Sequence, residues 1–149
     1  MINDAYDYVD IKDKTVFIFQ SEGPQGTVTK VIGFTLEDDG TWNLGFGDWR
    51  NDDVDGKIMT SNHDAMRVIR TVAKATLTFF EEYPTRIITI CPVDEKRKKL
   101  YNFVFQRHFK EINALFYIIG LRIVNLKKED KEVYSPAKYY DGFELKLKL

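Results

Sequence analysis

The sequence predicts an α+β fold in which an N-terminal antiparallel β-meander precedes an α-β-α-β region, with a mixed sheet and two main helices. Three observations lead to this prediction. The first third holds β-branched and aromatic runs separated by turn residues, two later segments have helical spacing, and the end alternates apolar with polar residues. A length of 149 residues fits a single domain spanning 1–149.

The meander is predicted from three strands. Thr15–Phe19 suits a strand by composition, and Gly23–Gly26 is typical of a turn. Thr27–Leu36 alternates in part and is followed by a second turn at Glu37–Gly40. The third strand, Thr41–Gly47, alternates strictly, which indicates a sheet with at least one covered face.

Two helices flank a strand in the middle of the chain. The first should begin near Ser61 or Asn62, either of which can cap the free backbone N–H groups, and should end before Pro84. The β-branched run Thr85–Cys91 predicts a central strand. Asp94 can cap a second helix that runs to about Ile112.

The last third is predicted to return to the sheet. Leu115–Ile119 should be a strand ended by Gly120, and residues 122–126 are a candidate extension of the sheet. Residues 127–138 are rich in charged side chains and are predicted to form a loop. The closing segment alternates from Phe143 to Leu149, and its lysines fit an exposed face or a sheet edge.

Composition excludes several classes of protein. The chain has 22 Lys+Arg against 23 Asp+Glu, which argues against a nucleic-acid binder. A lone Cys91 cannot form an intramolecular disulfide. No apolar run approaches the roughly 18 residues of a membrane span, and the acidic N-terminus lacks signal-peptide features. We therefore expect a cytoplasmic protein that does not enter a membrane.

Five short strings in order along the chain carry a family resemblance. They are Gly45-Phe46-Gly47-Asp48, Asn62-His63-Asp64, Arg70-Thr71-Val72, Phe79-Phe80 with Tyr83-Pro84, and Arg97-Lys98-Lys99-Leu100-Tyr101. Together they resemble an uncharacterised family of small proteins found mainly in Bacteroidetes-type bacteria, a domain of unknown function. The resemblance covers about 16–145 and departs at Cys91-Pro92-Val93, where the family tends to have a Gly-Ser-like turn. It implies a fold and no activity.

The order of elements also resembles the back half of the GNAT acetyltransferase fold. Tyr101 sits where such enzymes often carry a tyrosine on the helix after the central strand. Coenzyme A binding in that fold resembles a Gly-rich turn at a helix N-terminus. Here the first helix begins without glycine, and Asp64 would repel a pyrophosphate. Acetyl transfer is therefore disfavoured.

Four polar residues form a candidate pocket or polar network at the end of the central strand. They are Asp48, Asp64, Arg97 and Tyr101. An open pocket there would favour a ligand- or nucleotide-binding domain, whereas a filled core would exclude one.

The acidic segment at 51–58 matches part of an EF-hand loop. Asn51, Asp53 and Asp55 supply oxygen ligands at the right spacing, and Gly56 stands at the sharp turn. The twelfth position, however, is Asn62 rather than a bidentate Glu. A solvated acidic turn is the reading we favour, with weak calcium binding as the alternative. The acids of this loop with His63 could instead hold magnesium, although no nuclease signature matches. No other cofactor is predicted.

The sequence contains no recognisable nucleophile–base pair, phosphate loop or strong metal spacing. We therefore favour a non-catalytic interaction or regulatory module over an enzyme. The second helix has a wide apolar face near 101–105, which predicts a protein partner or self-association as a homo-oligomer. The alternative is a GNAT-like ligand- or nucleotide-binding domain, a divergent acyltransferase among them.

Overall fold

A computed structural model describes residues 2–50, 53–55, 62–125 and 127–149, and only the backbone of Arg50, 53–55 and Glu129. The strands are β1 Tyr8–Asp10, β2 Val16–Gly23, β3 Gly26–Leu36, β4 Trp42–Arg50, β5 Asp53–Asp55, β6 Ile87–Ile90, β7 Phe116–Val124, β8 Lys127–Val133 and β9 Gly142–Leu147. The helices are α1 Ala65–Glu82, α2 Glu95–Arg107 and α3 Phe109–Leu115. The predicted α+β class is confirmed.

The strands form one mixed sheet in the order β1-β2-β3-β4-β6-β9-β7-β8, with β5 paired to β4. β4 and β6 run parallel, in register at Trp42 and Ile88. The pairs β6–β9, β9–β7 and β7–β8 are antiparallel. By compactness the chain divides into two units, Met1–Thr35 with Gly45–Pro84 and Leu36–Leu44 with Thr85–Leu149. We describe each by itself.

The first unit packs α1 on the hairpin of β2 and β3. The hairpin pairs from Val16 with Gly33 to Gly23 with Gly26, so the predicted turn is confirmed. The buried face of α1 repeats with helical spacing, as the sequence predicts. Phe79 from that face stacks on Phe34 with ring centroids 4.4 Å apart.

The start of α1 differs from the prediction that Asn62 caps it, and Ser61, the other predicted cap, lies outside the described residues. The helix begins at Ala65, with Asp64 at the N-cap position and no side-chain capping bond. Asn62 is drawn into the hairpin instead. Its Nδ2 donates to the carbonyl of Gly26 at 2.8 Å, and its Oδ1 accepts the amide of Gln25 at 2.7 Å. These bonds to buried or turn backbone groups replace a cap.

In the second unit, α2 packs on β9. Phe105 stacks on Phe143 with centroids 4.2 Å apart, and both are buried. The predicted cap is confirmed, because Asp94 Oδ1 accepts the amide of Arg97 at 2.8 Å. The prediction of one helix to about Ile112 is wrong, because the helix is interrupted at His108, between α2 and α3.

Two further predictions for this unit are wrong, and one of the two alternatives predicted for β9 is excluded. Gly120 does not end a strand, because β7 runs through it to Val124. Residues 127–138 are not all loop, because β8 occupies Lys127–Val133. β9 is not an edge, since it lies between β6 and β7, where hydrogen bonds on both sides and burial of Phe143 and Leu145 fix it. Its alternating pattern is confirmed.

The first unit also contains a buried ion pair that yields a stability test. Lys30 Nζ lies 2.7 Å from Asp48 Oδ1, and the two side chains are 1% and 2% exposed. Losing one partner of a buried ion pair weakens the compensation of the charge that stays in the interior, which is strongly destabilising. We therefore expect Asp48→Asn to lower the free energy of unfolding by about 3–5 kcal/mol in urea titrations.

The matched control is the exposed pair of Lys138 and Glu132, whose side chains are 54% and 43% exposed. Lys138→Met should cost no more than about 1 kcal/mol, because water screens that pair. A loss below about 1 kcal/mol in Asp48→Asn as well would show that the Lys30–Asp48 contact does not hold the first unit together.

Candidate functional site

The residues of the predicted four-residue pocket have their described contacts inside separate units. In the first unit, Asp48 pairs with Lys30. Asp64 Oδ2 accepts hydrogen bonds from Tyr6 Oη at 2.7 Å and from Ser21 Oγ at 2.5 Å. Both carboxylates therefore take part in polar networks that stabilise the first unit.

In the second unit, Arg97 and Tyr101 lie one turn apart on α2 and are both buried. Arg97 Nη1 donates to Asp94 Oδ2 at 2.8 Å. Burial raises the pKa of the Tyr101 hydroxyl, while the charge of Arg97 acts in the opposite direction. The structure thus brings Arg97 and Tyr101 together. A pocket that they share with Asp48 and Asp64 stays a prediction.

The calcium candidate lies largely outside the described residues. Asn51 is outside them, and Asp53 and Asp55 are described only as backbone of β5, which pairs with β4. Among the residues that are described, no group of three or more acidic, His or Cys side chains could hold a metal ion. Calcium binding stays a prediction.

Sequence reasoning missed a polar cluster around Lys128. Its Nζ donates to Asp39 Oδ2, lies 3.2 Å from Thr89 Oγ1 and lies 3.5 Å from Glu144 Oε2. Burial acts to lower the pKa of Lys128, but the bond to Asp39 and the nearby carboxylates outweigh it and raise that pKa. The ammonium group is therefore held charged and bonded, which suits a structural role and not that of a general base.

Cys91 lies near this cluster and is partly exposed. Burial raises the pKa of its thiol, with Lys128 acting against that shift. Since the thiolate is the reactive form, this environment does not activate Cys91 as a nucleophile.

An open, polar pocket lies on the β7–β8 hairpin of the second unit. Its volume is about 370 Å³, in the lower part of the range usual for small-ligand sites. The residues that line it are Gly120, Arg122, Asp130, Lys131, Glu132 and Tyr140. We call it the β7–β8 pocket.

The back of the β7–β8 pocket is fixed by Tyr140. Its ring lies against Gly120, where a Cβ atom would come within 2.2 Å of Tyr140 Cε1. Asn102 holds the backbone of Tyr140 on both sides, because Oδ1 accepts its amide and Nδ2 donates to its carbonyl, each at 2.9 Å. Tyr140 Oη donates to Glu132 at 2.9 Å and accepts the amide of Ser135 at 3.0 Å.

A bulge in the β7–β8 ladder sits beside Arg122. The register shifts between Arg122 and Ile123, and the amide of Ile123 donates to Asp141 Oδ2 at 3.0 Å. That bond, followed by the ion pair with Lys98 at 3.0 Å, lowers the pKa of Asp141. Bulges re-aim the neighbouring side chain and occur often beside functional sites.

Two charged side chains of the pocket face each other without bonding. Arg122 and Asp130 are directly opposite in the ladder. Within the described part of the chain, neither side chain makes a hydrogen bond or an ion pair, although the charge of Arg122 lowers the pKa values of Glu132 and Asp141 from a longer distance. The other charged lining residues are bonded, Lys131 to Glu144 at 3.0 Å and Glu132 to Lys138 at 3.1 Å.

Comparison with known proteins assigns the chain to a family. A model described as a family of unknown function (DUF6934) matches residues 3–148. The chain belongs to this family. Neither curated proteins nor solved structures gave a match. The predicted membership of an uncharacterised family is thus confirmed, while the bacterial source and the GNAT likeness stay predictions.

Sequence reasoning missed the β7–β8 pocket because it assigned 127–138 to a loop. The charged residues of β8 hide its strand character, since they lack the apolar alternation used to recognise strands. One sequence signal was available, because an asparagine at position 125 suits a tight turn. In the structure Asn125 lies between the two strands and has φ 51°, a left-handed conformation that Asn tolerates.

Among the described helices, none is long and apolar enough to cross a membrane.

Two neighbouring tyrosines, Tyr134 and Tyr140, give a paired prediction. The hydroxyl of Tyr134 is buried without a hydrogen-bond partner in the described structure, and burial raises the pKa of Tyr134 to about 12. Tyr134→Phe removes a polar group that burial penalises, so we expect the free energy of unfolding to stay equal or rise by about 1 kcal/mol. Tyr140→Phe should lower it by about 1–2 kcal/mol, because two bonds are lost.

Both variants delete the same atom type from neighbouring rings, whose centroids are 5.4 Å apart, so each is the control of the other. Urea unfolding monitored by circular dichroism measures the difference. Equal losses in the two variants would contradict the described hydrogen bonding.

Proposed function

We propose that this protein is a non-catalytic binding module that recognises a small polar ligand in the β7–β8 pocket. The observation that carries the proposal is the pair of Arg122 and Asp130. Opposite charges at directly opposed positions of neighbouring strands usually interact. Here they line an open pocket without bonding each other, which suits two groups that bind a ligand instead.

The rigidity of the pocket supports the same proposal. Tyr140 is 3% exposed and Asn102 is 2% exposed, so the groups that shape the back of the pocket are fixed before any ligand arrives. A preformed site loses little conformational entropy on binding. Arg122 and Asp130 are exposed in front of this fixed wall.

The candidate reactive groups of the second unit favour binding over catalysis. Lys128 is held by carboxylates, and burial raises the pKa of the Cys91 thiol. Catalysis by either group would need a pKa shifted the other way. The expected cytoplasmic location is part of this proposal. A protein partner is a second candidate, favoured by Phe103, which is 48% exposed on the apolar stretch of α2.

Amide chemical shifts in two-dimensional NMR test the proposal with single-charge probes. Sodium acetate should shift the pocket amides through Arg122, and ethylammonium chloride should shift them through Asp130. We expect saturable shifts at millimolar concentration that centre on 120–122, 130–132 and 140. Arg122→Gln should abolish the acetate response, and Asp130→Asn should abolish the ethylammonium response.

Lys127→Gln is the matched control, because Lys127 is an exposed charge of β8 that does not line the pocket. Its responses to both probes should equal those of the wild type. The proposal is wrong if neither probe shifts the pocket amides, or if Lys127→Gln loses the responses as fully as Arg122→Gln and Asp130→Asn.

A further inference from the structure

We infer that the ligand of the β7–β8 pocket is a compact zwitterion of the α-amino acid class, with its carboxylate on Arg122 and its ammonium group on Asp130. This inference rests on the proposed function and adds the chemical class of the ligand. It follows from the placement of the two charges, from the charges around them and from the size of the pocket.

The placement favours a ligand whose two charges are close together. Arg122 and Asp130 are cross-strand partners, and the Cβ atoms of such partners lie about 4.5–5.5 Å apart. A guanidinium can bind a carboxylate through two parallel hydrogen bonds. An α-amino acid carries its carboxylate and its ammonium on one carbon atom, so it can meet both side chains at once.

The surrounding charges disfavour ligands with a single charge. Besides Asp130, the carboxylates of Glu132 and Asp141 interact electrostatically with Arg122. A ligand with only a negative charge would compete with these carboxylates for the guanidinium. A ligand with only a positive charge at Asp130 would be repelled by Arg122 across the ladder and by Lys131 next in the chain. A zwitterion avoids both penalties, because each of its charges faces the opposite sign.

The remaining charges of the pocket are bonded within the protein. Lys131 pairs with Glu144, and Glu132 is shared by Lys138 and the hydroxyl of Tyr140. This leaves one cation and one anion for a ligand among the described lining residues. The volume of about 370 Å³ suits a molecule of amino-acid size.

Calorimetric or NMR titration with three related probes tests the inference. L-alanine carries both charges, N-acetyl-L-alanine lacks the cation and L-alaninamide lacks the anion. We expect L-alanine to bind about tenfold more tightly than either analogue, because each analogue loses one charge-assisted contact.

Variants assign each contact to a residue. Arg122→Gln should weaken L-alanine binding about tenfold and leave L-alaninamide unchanged, since that probe has no carboxylate to lose. Asp130→Asn should do the same for L-alanine and leave N-acetyl-L-alanine unchanged. Lys127→Gln should change none of the three affinities.

Two outcomes would overturn the inference, and they are distinguishable from a failure of the proposed function. Equal affinity for L-alanine and one of its analogues contradicts the zwitterion class, while acetate and ethylammonium still map the pocket. Absence of pocket shifts with these three probes and with acetate and ethylammonium contradicts both the inference and the proposed function.

Discussion

The second unit depends on one constraint, the pair of hydrogen bonds between the side chain of Asn102 and the backbone of Tyr140. A single buried amide side chain accepts the N–H of Tyr140 and donates to its carbonyl, each at 2.9 Å, and also donates to the carbonyl of Lys98. From the middle of α2, Asn102 therefore supplies the hydrogen-bond partners of both backbone groups of Tyr140, a loop residue. Buried backbone groups need such partners, and a loop seldom finds them inside a core.

The position of the β7–β8 pocket follows from that constraint. With Tyr140 held, the next residue, Asp141, reaches the amide of Ile123 at the bulge and the ammonium of Lys98 on α2. The bulge is the register shift between Ile123 and Arg122, so it adjoins Arg122 directly. Hydrogen bonds thus link helix α2, the loop before β9 and the β7–β8 hairpin. They end next to Arg122, the residue that we propose binds the ligand.

The sequence predicted the parts of the fold that rest on periodic burial or on local capping. The helical spacing of Val68, Val72 and Phe79 predicted α1, and the alternation of Phe143 and Leu145 predicted β9. Asp94 was predicted as a cap from its place before a helical segment. In each case the signal and the structure that it predicts lie within a few residues.

The candidate site could not be predicted in this way, because its causes are long-range. β8 is a strand through pairing with β7 and not through its own composition. Gly120 and Tyr140 are 20 positions apart in the sequence, and nothing local indicates that one makes room for the other. The same holds for Asn62, which was predicted to cap α1 and instead bonds to the hairpin near Gly26.

Native-state hydrogen exchange of the Tyr140 amide tests the central claim most directly. If Asn102 holds this loop residue as part of the core, its amide should be protected nearly as strongly as that of Leu145 in the interior strand β9. The amide of Ala137, an exposed residue of the same loop that donates only a 3.3 Å bond to Ser135 Oγ, provides the weakly protected reference. Exchange of Tyr140 as fast as that of Ala137 would contradict the account, because the wall of the pocket would then open with the loop.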